Sequence, residues 1–250
     1  MSTMITKVSC ARVEGTTRLI DLLWAFTLIA VICFLLIPAG FEIFARLSKT
    51  HIYLMAFTKF AILATMGELL ATRIREGYWR RPAGLLWRAL IWGFLGILIA
   101  LVFYLYATGV AGALAKGLLP SPGEQGVASQ FNYALSISIL MNLLFAPTFM
   151  AFHRITDTYI DLGKGNLREM VQVRFSDVLD QVDWNGFISF VVCKTIPFFW
   201  IPAHTITFML PPEHRVLAAA FLSIALGAIL ASSKKAPIKT EQQTTAGASG

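Results

Sequence analysis

The fold of this chain is decided by residues 194–215, KTIPFFWIPAHTITFMLPPEHR, a stretch that is apolar enough to lie at membrane depth. It nevertheless carries Pro197, Pro202, His204 and a closing pair of prolines. Each Pro removes a backbone donor and crowds the preceding helical turn. In hydrocarbon the freed carbonyls need other partners. The stretch therefore predicts a broken helix that is buried among other helices or lines a wet cavity.

The composition indicates an integral membrane protein. Of 250 residues, 56% are hydrophobic and 14% are charged, and the mean hydropathy is +0.67, whereas soluble domains carry about 25% charged residues. The net charge is +7, which we assign to loops facing the cytoplasm and not to nucleic-acid binding. The three cysteines lack the spacing of a metal site. We expect membrane lipids as partners, and no nucleic acid, metal or cofactor.

The predicted fold class is all-α: a polytopic membrane helix bundle of five to six transmembrane helices plus one interfacial amphipathic helix. Apolar segments near 20 residues are the spanning unit, and the chain holds six of them. They are residues 19–45, 52–71, 85–110, 131–162, 187–210 and 216–231. Residues 1–18 are predicted to be an N-terminal tail, 19–45 an extra membrane helix, 52–231 the bundle, and 232–250 a disordered tail.

Three local signals refine this organisation. Pro38-Ala39-Gly40 predicts a kink in the first segment, and Pro147 interrupts the fourth. Asn166-Leu167-Arg168-Glu169 predicts a capping box that opens the interfacial helix. A face of small residues on the third segment predicts close packing on the second segment, and the sixth segment has a similar face.

The loop charges predict the topology. If all six segments cross, fifteen Lys and Arg residues lie on the side of both termini and four on the other. This bias places both termini in the cytoplasm. If residues 187–210 re-enter the membrane instead of crossing it, the C-terminal tail lies outside. The host membrane is not indicated.

Polar and ionisable residues inside the spanning segments are the candidate functional groups. Such groups are costly in a membrane and are usually paired or near water. The candidates are Thr65, Glu68, Asn142, His153, Lys194 and His204, together with Lys59. Glu68 and Lys194 have two open interpretations: they contribute to a polar pore, or they form a buried ion pair that fixes helix register.

The histidines also leave alternatives open. His204 is either a pH-sensitive gate or a donor to a carbonyl freed by Pro202. His153, Asp157 and Asp161 share one helical face, which suits either a metal or acid–base site or a solvated helix end, and we favour the solvated end. The chain has no phosphate loop, no nucleophile elbow and no Cys/His pair, so we expect no enzyme activity.

Four short motifs follow one another along the chain: Met66-Gly67-Glu68, Trp92-Gly93-Phe94-Leu95-Gly96, Phe145-Ala146-Pro147, and Thr207-Phe208 followed by Pro211 and Arg215. They resemble signatures of the Mpv-type family of peroxisomal and mitochondrial inner-membrane proteins. The resemblance covers residues 57–231 and makes the first segment an extra helix. Members of that family are usually described as small-solute channels or as proteins that maintain organelle membranes.

Three functional hypotheses remain. The first is a weakly selective small-solute channel lined by the polar candidates, with Glu68 and Lys194 setting its charge preference and with Pro202 and Pro211 shaping the broken helix. The second is a non-conducting scaffold that packs, through its small-residue faces, against its own copies or other membrane proteins. The third, a proton-coupled transporter, needs Glu68 to titrate near neutral pH.

Overall fold

The computed structural model describes residues 2–121 and 126–233, with side chains for residues 18–121 and 126–229. The described part of the chain is an all-α bundle without strands, which confirms the predicted fold class. In chain order its helices are α1 (Ser2–Leu36), α2 (Pro38–Thr50), α3 (Ile52–Glu76), α4 (Leu85–Ala115), α5 (Val127–Leu144), α6 (Ala146–Leu162), α7 (Leu167–Gln172), α8 (Phe175–Gln181), α9 (Trp184–Gly186), a π-helix (Phe187–Trp200), α10 (Ile201–Met209) and α11 (Pro212–Ser233).

Six stretches of the described helices are long and apolar enough to cross a membrane. They are Arg18–Leu36, Ile52–Glu76, Leu85–Ala115, Val127–Leu144, Trp184–Met209 and Pro212–Ile229. The chain is therefore a multi-pass integral membrane protein. Helices α2, α6, α7 and α8 lie outside these six stretches.

Two predicted segments are each divided in two by a proline. Ile37 separates α1 from α2 and has an extended backbone, with φ −77° and ψ 124°, because the following Pro38 disfavours the helical conformation at this residue. The fourth segment divides at Phe145, and Pro147 lies in the first turn of α6, where a missing N–H removes no helical hydrogen bond. The kink predicted at Pro38 thus separates two helices, and the interruption predicted at Pro147 separates α5 from α6.

The ends of the chain and the interfacial region also differ from the predicted bounds. The backbone of α1 is helical from Ser2, so residues 2–18 of the predicted tail belong to the same helix as the first membrane segment. The predicted disordered tail lies, beyond Ser233, outside the described residues. The interfacial helix forms as α7 and α8. The Asn166 side chain caps α7 by accepting from the Arg168 N–H at 3.0 Å, while Glu169 pairs with Lys164 at 3.5 Å.

The helix predicted to be broken is a continuous rod over residues 194–209, and the chain leaves helical structure only at residues 210–211, before α11. Helix α9, the π-helix and α10 follow each other without interruption from Trp184 to Met209. Pro197 lies within the π-helix, and Pro202 lies in the first turn of α10. A π-helix bonds residue i to residue i+5 and winds more slowly than an α-helix. The prolines are therefore accommodated by a changed helical winding, and the rod is long enough to cross.

Glycines allow α3, α4 and α11 to pack closely at the centre of the bundle. A Cβ atom at Gly96 would lie 2.6 Å from the Ala56 carbonyl oxygen of α3. A Cβ atom at Gly227 would lie 2.8 Å from the Gly67 carbonyl oxygen. The predicted packing of the small-residue face of α4 on α3 is confirmed.

Candidate functional site

A cavity of about 300 Å³ lies at the centre of the bundle, between α3, α4, α5, α6, α10 and α11. Most of its wall is apolar or aromatic. Two of its lining residues, Trp92 and Phe103, are both on α4 and lie about 16 Å apart along the helix axis at 1.5 Å per residue. Its polar and ionisable lining residues are Glu68, Asn142, His153, Asp157, His204 and Ser223.

A buried arginine organises the charges at one end of this cavity. The side chain of Arg88, in the first turn of α4, is only 6% exposed. Its Nη1 lies 2.9 Å from Glu68 Oε1 and 3.0 Å from Asp157 Oδ1, and its Nη2 donates to Asp161 Oδ1 at 2.6 Å. The guanidinium also donates through Nε to the Ala83 carbonyl at 3.1 Å. One cation therefore joins α3, α4 and α6.

Trp92 and His153 complete this charged cluster. The Trp92 indole N–H donates to Glu68 Oε2 at 3.3 Å, and its ring contacts the His153 ring edge-on, with centroids 4.2 Å apart. His153 Nε2 lies 3.6 Å from Asp157 Oδ2. Its other nitrogen, Nδ1, is buried and has no hydrogen-bond partner among the described residues. The cluster therefore retains unused hydrogen-bonding capacity.

Burial shifts the titration of the two α6 groups in opposite directions. It raises the pKa of the Asp157 carboxyl to about 6, although the Arg88 guanidinium acts to lower it. It lowers the pKa of the His153 imidazole to about 4, against the opposing effect of the Glu68 carboxylate. Both effects arise because a low-dielectric surrounding disfavours the charged form. At neutral pH Asp157 is therefore ionised and His153 is neutral.

A second polar group lies further along the cavity, on α5 and α10. Asn142 is 1% exposed, and its Nδ2 lies 3.0 Å from His204 Nδ1 and 2.8 Å from the Ser138 carbonyl. The Ser138 hydroxyl donates to the Ile201 carbonyl at 2.7 Å. The His204 ring stacks on Trp200, with centroids 5.0 Å apart. The Nδ1 atom of His204 therefore faces the Asn142 amide and not a backbone carbonyl of the rod.

Four of the six candidate residues come together in this cavity, namely Glu68, Asn142, His153 and His204. Thr65 is buried, at 8% exposure, but does not line the cavity. Lys194 is exposed. The predicted ion pair between Glu68 and Lys194 is therefore wrong, because Glu68 pairs with Arg88 while the slower winding of the π-helix leaves Lys194 on the outer surface.

The cavity and its surroundings also contain the motif residues. Gly67 packs on the backbone of Ile224, and Gly93 packs on the Phe57 ring. Phe208 is 1% exposed in the core, under the Arg215 guanidinium, which lies 5.3 Å from its ring centroid. Arg215 Nε donates to the Leu210 carbonyl at 2.9 Å. This bond closes the turn at Pro211 between α10 and α11.

Sequence reasoning missed Arg88 as a member of the site. We assigned it to the basic loop 73–88, and we expected a solvated helix end at Asp157 and Asp161. The missed signal is helical spacing: Arg88 precedes Trp92 by four residues and therefore shares its face of α4. Among the described residues, no group of three or more His, Cys, Asp and Glu side chains is arranged to hold a metal ion.

Comparison with protein-family models, with curated proteins and with solved structures found no match. The resemblance to the Mpv-type family stays a prediction.

Proposed function

We propose that this membrane protein is a weakly selective small-solute channel and that the central cavity is part of its permeation path. The observation that carries the proposal is the convergence of Glu68, Asn142, His153 and His204, from four helices, on one cavity inside the bundle. A lining of this kind suits a small, partly polar solute that sheds some of its water. The proposal includes both termini on the cytoplasmic side, as the loop charges predict.

The charged cluster favours cations over anions. Three carboxylates, those of Glu68, Asp157 and Asp161, surround the single guanidinium of Arg88. All three are more than 20% exposed, against 6% for Arg88, so the carboxylates are more accessible to a solute than the guanidinium. Charged side chains at a pore entrance set ion preference in this way. The charge preference therefore depends on this cluster and not on Lys194.

Aromatic rings narrow the proposed path at the end of the cavity opposite Arg88. Phe103 lines the cavity and contacts Phe208, with ring centroids 4.8 Å apart, and the His204 ring lies 5.7 Å from the Phe103 ring. Apolar constrictions close pores by excluding water. We assign the gate of the proposed channel to this aromatic contact and its entrance to the Arg88 end of the cavity.

The scaffold hypothesis has less support. It was motivated by the small-residue faces of α4 and α11, which would suit dry contacts with other proteins. Gly93 and Gly96 of α4 pack on Phe57 and Phe60, and Gly227 of α11 packs on Gly67. These glycines therefore pack against other residues of the same chain and are not available for contacts with another protein. The central cavity, in contrast, is not filled by side chains.

Solute release from proteoliposomes tests the channel proposal. Purified protein is reconstituted into liposomes loaded with neutral, cationic and anionic solutes of graded size, beside protein-free liposomes. We expect release that stops at a size limit and is faster for cations than for anions. Glu68→Gln should reduce this preference, and Glu42→Gln, which neutralises an exposed carboxylate on α2, should leave it unchanged. The proposal would be refuted if proteoliposomes released every solute no faster than protein-free liposomes do, while circular dichroism shows that the protein is folded.

A further inference from the structure

Lys59 is a buried cation that lies apart from the central cavity. It is 8% exposed on α3, within the membrane-spanning stretch Ile52–Glu76. Its ammonium donates to the Ser48 hydroxyl of α2 at 2.9 Å and lies 4.4 Å from the centroid of the Phe44 ring. The side chain therefore extends from α3 towards α2, as lysines do when they reach for the membrane surface.

This ammonium has no counter-ion among the described residues. Among residues 18–121 and 126–229 no carboxylate lies within 4.0 Å of its Nζ, and the side chains it contacts are a hydroxyl and an aromatic ring. A hydroxyl and an aromatic face do not neutralise a buried charge, and such charges are normally paired. An ammonium has three N–H donors, and Ser48 takes one of them. Lys59 therefore has unused donors and an unbalanced charge.

Lys59 also lines an apolar groove of about 530 Å³ between α1, α2 and α3. Its wall includes Phe26 and Phe34 of α1 and Ile62 of α3, which are 70%, 45% and 49% exposed on the outside of the bundle. Since these residues belong to or adjoin spanning helices, the groove faces the lipid. The hydroxyl groups of the two groove threonines, Thr27 and Thr58, donate to carbonyls of their own helices.

We propose that this groove binds one phospholipid of net negative charge. An acyl chain lies along the apolar wall between α1 and α3, and the anionic headgroup accepts hydrogen bonds from the Lys59 ammonium where α2 covers it. The chemistry is complementary at both ends: a long apolar wall for the chain, and an unbalanced cation with free donors for the phosphate. This site is independent of the channel proposal, since it shares no residue with the central cavity.

Native mass spectrometry of the detergent-purified full-length protein tests this site. The protein is mixed with equal amounts of phosphatidylglycerol and phosphatidylcholine of the same acyl chains, and the ratio of the first lipid adducts is measured. We expect wild type to favour phosphatidylglycerol about fivefold, the contribution of one Lys near an anionic lipid. Lys59→Met should abolish this preference, and Lys59→Arg should keep it.

Two further variants distinguish a specific lipid-binding site from non-specific attraction between anionic lipid and the basic residues of the protein. Lys194→Met removes an exposed lysine from another spanning helix and should keep the preference. Ile62→Trp fills the groove, where Ile62 lies one helical turn from Lys59, and should reduce the first adduct of either lipid. The proposal is overturned if wild type shows no preference, if Lys59→Met retains it, or if Lys194→Met lowers it equally. If Lys59→Met does not fold, the proposal is tested by the wild-type lipid ratio and by the loss of the first adduct in Ile62→Trp. It is overturned if either result is not seen.

Discussion

Arg88 of α4 holds Glu68 of α3, with 2.9 Å between its Nη1 and the carboxylate Oε1. The same guanidinium contacts two carboxylates of α6, so one side chain fixes three helices at the charged end of the cavity. The planar guanidinium suits this role because it presents several donors in a fixed geometry. The relationship determines both the stability of the bundle and the charge of the proposed channel entrance.

Replacing Arg88 with Met should destabilise the protein strongly. Glu68 and Asp157 would keep their partly buried charges without a partner, and breaking a buried pair by removing one member costs about 3–5 kcal/mol. We expect the thermal unfolding midpoint in detergent to fall well below that of wild type, with Arg88→Lys in between.

Arg80→Met provides the matched control, because Arg80 forms an exposed ion pair with Glu76 at 3.6 Å. Exposed pairs contribute about 0–1 kcal/mol. Equal unfolding midpoints for Arg88→Met and Arg80→Met would show that the cluster does not stabilise the bundle.

The opposite pKa shifts of Asp157 and His153 predict opposite pH profiles in two variants. The raised pKa of Asp157 makes the folded state bind more protons than the unfolded state between pH 3.8 and about 6, so its contribution to stability falls as pH rises. The lowered pKa of His153 makes the unfolded state bind more protons between pH about 4 and 6.5, so its contribution rises with pH.

The measurement is the unfolding midpoint between about pH 4.5 and 6.5. Asp157→Asn leaves the His153 effect, so its midpoint should rise with pH relative to wild type. His153→Gln leaves the Asp157 effect, so its midpoint should fall relative to wild type. The other charged groups around Asp157 and His153 are the same in wild type and in both variants. They are Arg88, Glu68, Asp161 and Arg154. Parallel profiles for the two variants would contradict the assigned shifts.

The sequence predicts the bundle well because membrane solvation imposes a strong, simple rule. Backbone groups in hydrocarbon must be satisfied within helices, so the six apolar segments predict six spanning stretches, although the first and fourth segments each divide into two helices. The polar faces of the second, fourth and fifth segments likewise predict four residues of the cavity, including Glu68 and His204. Prolines are less informative: Pro147 divides its segment, whereas Pro197 lies inside a continuous rod.

The partners of the charged residues could not be read from the sequence. Arg88 stands at the end of a run of similar basic residues, and only the face it shares with Trp92 distinguishes it from Arg80. The contact with Asp161 joins residues 73 positions apart, and no local pattern encodes such a distance. Lys194 was misplaced because it lies within an apolar segment, and its position along the segment does not show which side of the helix it faces.

Two glycines of α4 provide a matched test of the helix packing. A Cβ atom at Gly96 would meet the Ala56 carbonyl oxygen at 2.6 Å and Phe60 Cβ at 2.7 Å, so Gly96→Ala should push α3 and α4 apart and cost about 1–3 kcal/mol. No atom lies within 4 Å of a Cβ atom at Gly112. Gly112→Ala should therefore be neutral or stabilise by up to about 1 kcal/mol. Unfolding midpoints check both, and equal effects would contradict the packing.

The central claim, that the cavity is a wet permeation path, is tested most directly by cysteine accessibility. Ser223→Cys places a thiol in the cavity wall, and Thr65→Cys places one at a buried position outside it, both in a background without native cysteines. Water-soluble methanethiosulfonates, one cationic and one anionic, are applied to the reconstituted protein. We predict modification at position 223, faster with the cationic reagent, and none at position 65. A silent thiol at position 223, or equal reaction at both positions, would contradict the account.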